Sequence, residues 1–156
     1  MRLVLALAIV AATACGSGTT PPDADEALAC MTSGRGDAYV AGLERTGRSG
    51  LLDFKLLSAT PAPPGRFLNA WTLQINTMSS GVVGAPATGA AMTVTPYMPD
   101  HQHGAGAYIV QIKETADGKY ELSEINLSMP GYWEVTIDAQ AGAVHDTVVY
   151  RFCIQA

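Results

Sequence analysis

Residues 133–138 read WEVTID, and this stretch decides the fold class because large apolar side chains alternate with polar ones. In an extended strand, Trp133, Val135 and Ile137 point to one face and the polar residues between them point to the other. The same period-two alternation recurs in five other runs, namely residues 52–56, 71–75, 92–95, 108–113 and 147–154. Such runs are typical of strands that bury one face.

Turn residues separate these runs, and no window shows a helical period over three turns. The dipeptide Asp117-Gly118 lies between two strand patterns and predicts a tight hairpin. We therefore predict an all-β fold, an immunoglobulin-like two-sheet antiparallel sandwich of about seven or eight strands. A small closed barrel is the alternative. Trp71 and Trp133 are expected to anchor the core.

The length and composition set the class of protein. A chain of 156 residues fits one domain. Charged residues make up only 15% of it, below the roughly 25% of an average domain, so a charge-driven disordered chain is excluded. The formal net charge of −5 argues against a nucleic-acid partner and against a basic membrane-binding surface.

Residues 1–15 read MRLVLALAIVAATAC and resemble a bacterial lipoprotein signal peptide, with Cys15 as the lipidated residue. The apolar run is too short to span a bilayer, which needs about 20 residues. A plain signal peptide cut near Ala14 is the alternative. Because Gly16 follows the cysteine, the resemblance implies an outer-membrane-anchored lipoprotein facing the periplasm or the cell surface. The lipid would then be its contact with the membrane.

Residues 16–27 carry proline and acidic residues without apolar periodicity, so we predict a flexible tether there and a β-sandwich domain over residues 28–156. Export places Cys30 and Cys153 in an oxidising compartment. We predict a disulfide between them that ties the start of the domain to its last strand. A redox couple or a pair of thiolate metal ligands is the alternative.

Residues 98–104 read MPDHQHG and form the candidate metal site. In an extended segment the imidazoles of His101 and His103 would point to the same side. Met98 and Met129 add thioethers if the two loops lie at one end of the sandwich. Thioether sulfur is a soft ligand that selects Cu(I), so copper is the favoured cofactor. The alternative is a solvated histidine pair, with Met98, which is in strand phase with Met92 and Val94, as a core residue.

No enzymatic activity is expected. The sequence has no Gly-x-Ser-x-Gly elbow, no phosphate-binding loop and no HExxH motif. A hydrolytic zinc site would need a third histidine or carboxylate ligand and a base, whereas only two histidines are clustered here.

Four motifs, in this order, carry a resemblance to a known family: GRFLNAWTLQI at 65–75, MPDHQHG at 98–104, DGKY at 117–120 and MPGYW at 129–133. Residues 39–153 resemble the YtkA-like domain family of small exported bacterial proteins, which is related to the FixH-type proteins of the cell envelope. The resemblance implies an immunoglobulin-like sandwich, a role in the envelope and copper handling. By position, the resemblance implies the same four candidate ligands, which are Met98, His101, His103 and Met129.

Together these features predict a lipid-anchored envelope module that binds Cu(I) and delivers or buffers it. The partner would be an envelope protein that donates or accepts copper, and the acidic surface would assist docking to a basic face. The first alternative is a structural or protein-interaction sandwich without metal. A carbohydrate-binding sandwich ranks last, because most of the few aromatic residues fall at core positions.

Overall fold

The computed structural model describes residues 22–156. The predicted signal peptide, its Cys15 and residues 16–21 of the predicted tether lie outside the described residues. Within this part of the chain, no helix is both long enough and apolar enough to cross a membrane.

Helix α1 (Pro22–Ser33) precedes ten strands, which form two antiparallel sheets. One sheet has the order β1-β2-β3-β8-β7, with β4 also paired to β3, and the other has the order β10-β9-β5-β6. The strands are β1 (Leu43–Thr46), β2 (Leu52–Thr60), β3 (Phe67–Ser79), β4 (Val82–Pro86), β5 (Ala91–Met98), β6 (His103–Gly104), β7 (Gln111–Ala116), β8 (Lys119–Leu127), β9 (Gly131–Ala141) and β10 (Val144–Ile154).

The expected all-β sandwich is confirmed, and the alternative of one closed barrel is wrong. The described strands number ten instead of seven or eight. The surplus comes from short elements that show no alternation in sequence. Strand β6 has two residues, and all five residues of β4 are exposed, so neither presents a buried face that a period-two pattern would reveal.

The core lies between the sheets and is built from the inward side of each alternating run. Trp71 and Trp133 are both buried, as predicted. The Trp71 ring packs edge-on against Tyr150 and Phe152, with centroid distances of 6.0 and 5.6 Å. Burying each such side chain stabilises the fold by about 1.5–3 kcal/mol.

The predicted hairpin at Asp117-Gly118 is confirmed. Ala116 and Lys119 are paired, so the two residues between them form the turn that joins β7 to β8. Gly118 has a φ of +66°, and a Cβ atom there would lie 2.6 Å from the carbonyl oxygen of Ile75. Both the backbone conformation and the close approach require glycine.

Helix α1 corrects the predicted tether, because residues 22–27 are helical. Proline suits the first position of a helix, and acidic residues in the first turn interact favourably with its N-terminus. Gly34, with a φ of +67°, follows the last helical residue. Of helix residues 24–33, the part whose burial the structure describes, Ala27 and Cys30 are buried, and such small side chains leave no apolar period in the sequence.

The predicted disulfide between Cys30 and Cys153 is present, with a Cα–Cα distance of 5.6 Å. It fastens α1 to β10 across 123 positions of sequence. On the chain-entropy model, a cross-link that closes a loop of this size contributes about 4–5 kcal/mol. The segment after α1 also pairs with β10, since the Asp37 N–H donates to the Arg151 carbonyl at 2.7 Å. These contacts hold α1 beside the end of the four-stranded sheet.

Candidate metal site

The two predicted loops lie at the same end of the sandwich. Strands β5 and β9 are antiparallel neighbours, and Tyr97 pairs with Glu134. The end of β5 at Met98 therefore lies beside the beginning of β9 at Gly131. This arrangement brings residues 99–104, which carry His101 and His103 and are called the histidine loop below, next to the turn that contains Met129.

A tight turn brings the two imidazoles together. Gln102 adopts a left-handed conformation with φ of +56°, and the His101 N–H donates to the Met98 carbonyl at 3.2 Å. Strand β6 then pairs back on β5, placing His103 opposite Met98. The ring centroids of His101 and His103 are 5.9 Å apart. The predicted proximity is present, although it arises from a turn and not from an extended segment.

Each imidazole has one nitrogen engaged by a neighbouring oxygen. Nε2 of His101 lies 2.9 Å from Oε2 of Glu26, and Nδ1 of His103 lies 3.0 Å from the carbonyl oxygen of Gly104. The His103 ring also packs edge-on against Trp133, with a centroid distance of 5.9 Å. The His101 side chain is 30% exposed, so this part of the loop is open to solvent.

Met98 is part of the hydrophobic core, with only 1% of its surface exposed. Its methyl carbon fills the space above Gly131, where a Cβ atom would lie 2.6 Å from it. Met98 also lines a cleft of about 450 Å³ that His101 lines too. Met98 thus belongs to the core, as the alternative interpretation expected, and it also borders the cleft.

Met129 is half-buried and packs against the core. Its carbonyl accepts a hydrogen bond from Nε1 of Trp133 at 2.9 Å. Since the Trp133 ring also contacts His103, this tryptophan links the Met129 turn to the histidine loop. All four predicted ligands lie at one end of the sandwich, and the two imidazoles are the pair in direct ring contact.

The cleft is also lined by a charged pair, Arg35 from the segment after α1 and Asp100 from the loop after β5. The Arg35 guanidinium forms two hydrogen bonds to the Asp100 carboxylate, at 2.7 and 2.9 Å, and stacks 4.0 Å from the Tyr132 ring centroid. The hydrogen bond from Arg35 holds the pKa of Asp100 below its usual range. Asp100 is thus an ion-pair partner that ties the histidine loop to the segment after α1.

Sequence reasoning missed Glu26 and Arg35. Glu26 lies 75 positions before the histidine that it contacts, within the segment predicted as a tether. The run of alanines and acidic residues after Pro22 was the signal available for a helix, but it says nothing about where that helix docks.

Within residues 22–156, no three or more His, Cys, Asp or Glu side chains are grouped so that they could hold a metal ion. The predicted donors that lie at this end of the sandwich are the imidazoles of His101 and His103 and the thioethers of Met98 and Met129.

Residues 70–138 match the model of the YtkA-like family. The chain contains a YtkA-like domain. The matched stretch runs from β3 into β9 and includes the histidine loop and Met129, whereas helix α1 lies before it. The comparisons with curated proteins and with solved structures gave no significant match. The resemblance predicted from the motifs is confirmed over this range.

Proposed function

We propose that this protein is a lipid-anchored module of the cell envelope that binds copper as Cu(I) and delivers or buffers it. The spacing of the two imidazoles carries the proposal. Their centroids are 5.9 Å apart. With metal–nitrogen bonds of about 2 Å, two imidazoles on one ion have centroids about 6 Å apart when the ion lies between them.

The thioethers would supply the preference for Cu(I). Met98 forms part of the cleft wall beside His101, and Met129 lies in the adjacent turn. Sulfur ligands of this kind favour a soft monovalent ion over zinc or a hard divalent cation. The predicted anchor at Cys15 would hold the domain at the membrane.

The openness of the loop supports exchange of the ion with a partner. A site on an exposed turn is easier to reach than one enclosed in the core, and part of the His101 side chain faces solvent. The net charge of −5 would favour encounter with a basic face on a donor or acceptor protein.

A Cu(I) titration against a competing chelator tests this function. We expect the untagged protein to bind one equivalent, and the His101→Ala/His103→Ala double variant to lose it. His145→Ala is the matched control, since His145 pairs with Gln140 at the opposite end of the sheet and bonds to Asp138 at 2.9 Å. Unchanged copper binding in the double variant would overturn the proposal.

A protein-interaction module without metal is the second candidate, and a groove along the outer edge of β5 favours it. The groove has a volume of about 650 Å³, and its lining includes Met92, Tyr108 and Ile109. Ile109 is 76% exposed and Tyr108 is 51% exposed, so the two side chains present adjoining apolar surface at the groove. Capture of the same envelope protein by wild type in chelator and by the histidine double variant would support this candidate over copper binding.

A further inference from the structure

We infer that helix α1 is part of the metal site and that Glu26 is a positioning residue, which presents Nδ1 of His101 as the ligand atom. Nε2 of His103 is the second ligand atom. This inference rests on the proposed function, because it names the two nitrogens that would hold the ion and the groups that select them.

The assignment for His103 follows from its hydrogen bond. A backbone carbonyl can only accept, so the Nδ1 atom that lies 3.0 Å from the Gly104 oxygen carries the proton. A neutral imidazole with a proton on Nδ1 has its lone pair on Nε2. That nitrogen is the one left to bind a metal ion.

In His101 the proton is assigned to the other ring nitrogen, Nε2. An ionised carboxylate only accepts hydrogen bonds, so Nε2, at 2.9 Å from Oε2 of Glu26, carries the proton in the neutral ring. Its lone pair then lies on Nδ1. The two imidazoles thus offer different nitrogens, because one is held by a side chain from a distant helix and the other by its own backbone.

Functional metal sites commonly contain hydrogen bonds of this kind. A metal-binding imidazole commonly donates its other N–H to a carboxylate or a carbonyl, which fixes the ring and makes the ligand nitrogen more basic. His101 and His103 have one such partner each in this structure. Each of the two rings is therefore held in place by a hydrogen bond to an acceptor oxygen.

The position of Glu26 depends on how α1 is docked. Cys30 lies four residues further along the helix, on the same face, and its disulfide to Cys153 fixes that face against the sandwich. A second tie, between Arg35 and Asp100, joins the segment after the helix to the histidine loop. Helix α1 lies before the stretch that matches the YtkA-like family.

The first arm of the test reads the tautomers of the copper-free, full-length protein by long-range ¹H–¹⁵N NMR, at a pH where both rings are neutral. We expect mainly the Nε2–H form for His101 and the Nδ1–H form for His103. Glu26→Ala should leave His101 in a mixture of tautomers, whereas Glu26→Gln, which keeps an acceptor oxygen, should preserve the Nε2–H form. Asp25→Ala is the control, since it removes the same charge from an exposed position on α1.

The second arm measures Cu(I) affinity in the same variants. Loss of a group that orients a ligand typically weakens metal binding 10–100-fold, so we expect a fall of about that size in Glu26→Ala and little change in Glu26→Gln or Asp25→Ala. An Nδ1–H tautomer for His101 in wild type, or a Glu26→Ala affinity within twofold of wild type, would overturn the role of Glu26 while leaving copper binding intact. Absence of Cu(I) binding by wild type itself would overturn the proposed function and the ligand assignment together.

Discussion

The methyl group of Met98 occupies the space that a side chain at Gly131 would need. A Cβ atom at Gly131 would lie 2.6 Å from that methyl carbon, and the backbone there has a φ of +118°. The contact joins the end of β5 to the beginning of β9, directly beneath the histidine loop. Stability of this end of the sandwich therefore depends on a glycine and a methionine from different strands.

We expect Gly131→Ala to lower the free energy of unfolding by about 1–3 kcal/mol, because a φ of +118° is strained for a residue with a Cβ atom and the Met98 methyl group would have to move aside. Urea denaturation measures the change. Gly89→Ala is the matched control, since Gly89 also has a positive φ of +63° but has no atom within 4 Å of the added Cβ. Equal losses in the two variants would show that the contact with Met98 contributes nothing.

Removal of the disulfide should release α1 from the sandwich. We expect the Cys30→Ser/Cys153→Ser double variant to lose about 4 kcal/mol of unfolding free energy, since the cross-link closes a loop of more than a hundred residues. Hydrogen exchange should show faster exchange of α1 amides, while β5 and β9 remain protected. Loss of less than about 1 kcal/mol, with α1 still protected, would mean that the contacts of the helix alone hold it in place.

The free energy of unfolding should depend on pH through the carboxyl group of Asp146. Burial by itself would raise the pKa of this carboxyl, but backbone N–H donors from Ser49, Leu51, Leu52 and Thr147 outweigh it, so the pKa lies below its ordinary value. Because the pKa is lower in the folded state, the stabilisation is present at neutral pH. It begins to fade as the pH falls below the ordinary carboxyl value of about 4, and it is lost once the pH passes the folded-state pKa.

We therefore expect Asp146→Asn to destabilise the protein by about 1–3 kcal/mol at neutral pH, since an amide matches fewer of these donors than a carboxylate does. The deficit should shrink as wild type is acidified. Urea denaturation over a pH series measures both effects, with the exposed Asp25→Asn as control. A deficit that stays constant down to the lowest pH would contradict the assignment of the acid sensitivity to Asp146.

The sheets could be predicted from the sequence because each long strand buries one face. Along β9, Trp133, Val135 and Ile137 are buried while the residues between them are half-exposed, as the alternation indicated. Strand β4 could not be found in this way, since its exposed residues pair with β3 without packing on the core. Alternation of apolar and polar residues indicates that one face of a strand is buried. A strand that is held only by hydrogen bonds to its neighbour shows no such alternation in its sequence.

The histidine pair could be predicted from its spacing. The nearness of Met129 was only a condition, because the alternation does not say that β5 and β9 are neighbours. The partner of His101 could not be predicted. Its contact with Glu26 requires α1 to dock on the end of the sheet, and the buried side of that helix consists of the small residues Ala27 and Cys30. Docking of this kind depends on a covalent bond and on a few polar contacts, none of which has a periodic signature.

Met98 can be interpreted as a core residue or as a copper ligand, and the two interpretations predict different results for Met98→Leu. As a core residue it fills volume, so Met98→Leu should cost less than about 1.5 kcal/mol of stability and should leave copper binding unchanged. As a ligand it supplies a sulfur that leucine lacks, so the same variant should fold normally but bind Cu(I) about tenfold more weakly. We expect the second result, because Met98 lines the cleft beside His101. Met92→Leu is the control, since Met92 shares strand β5 but lies nine positions before His101. Equal Cu(I) affinities for Met98→Leu, Met92→Leu and wild type would restrict the site to the two imidazoles.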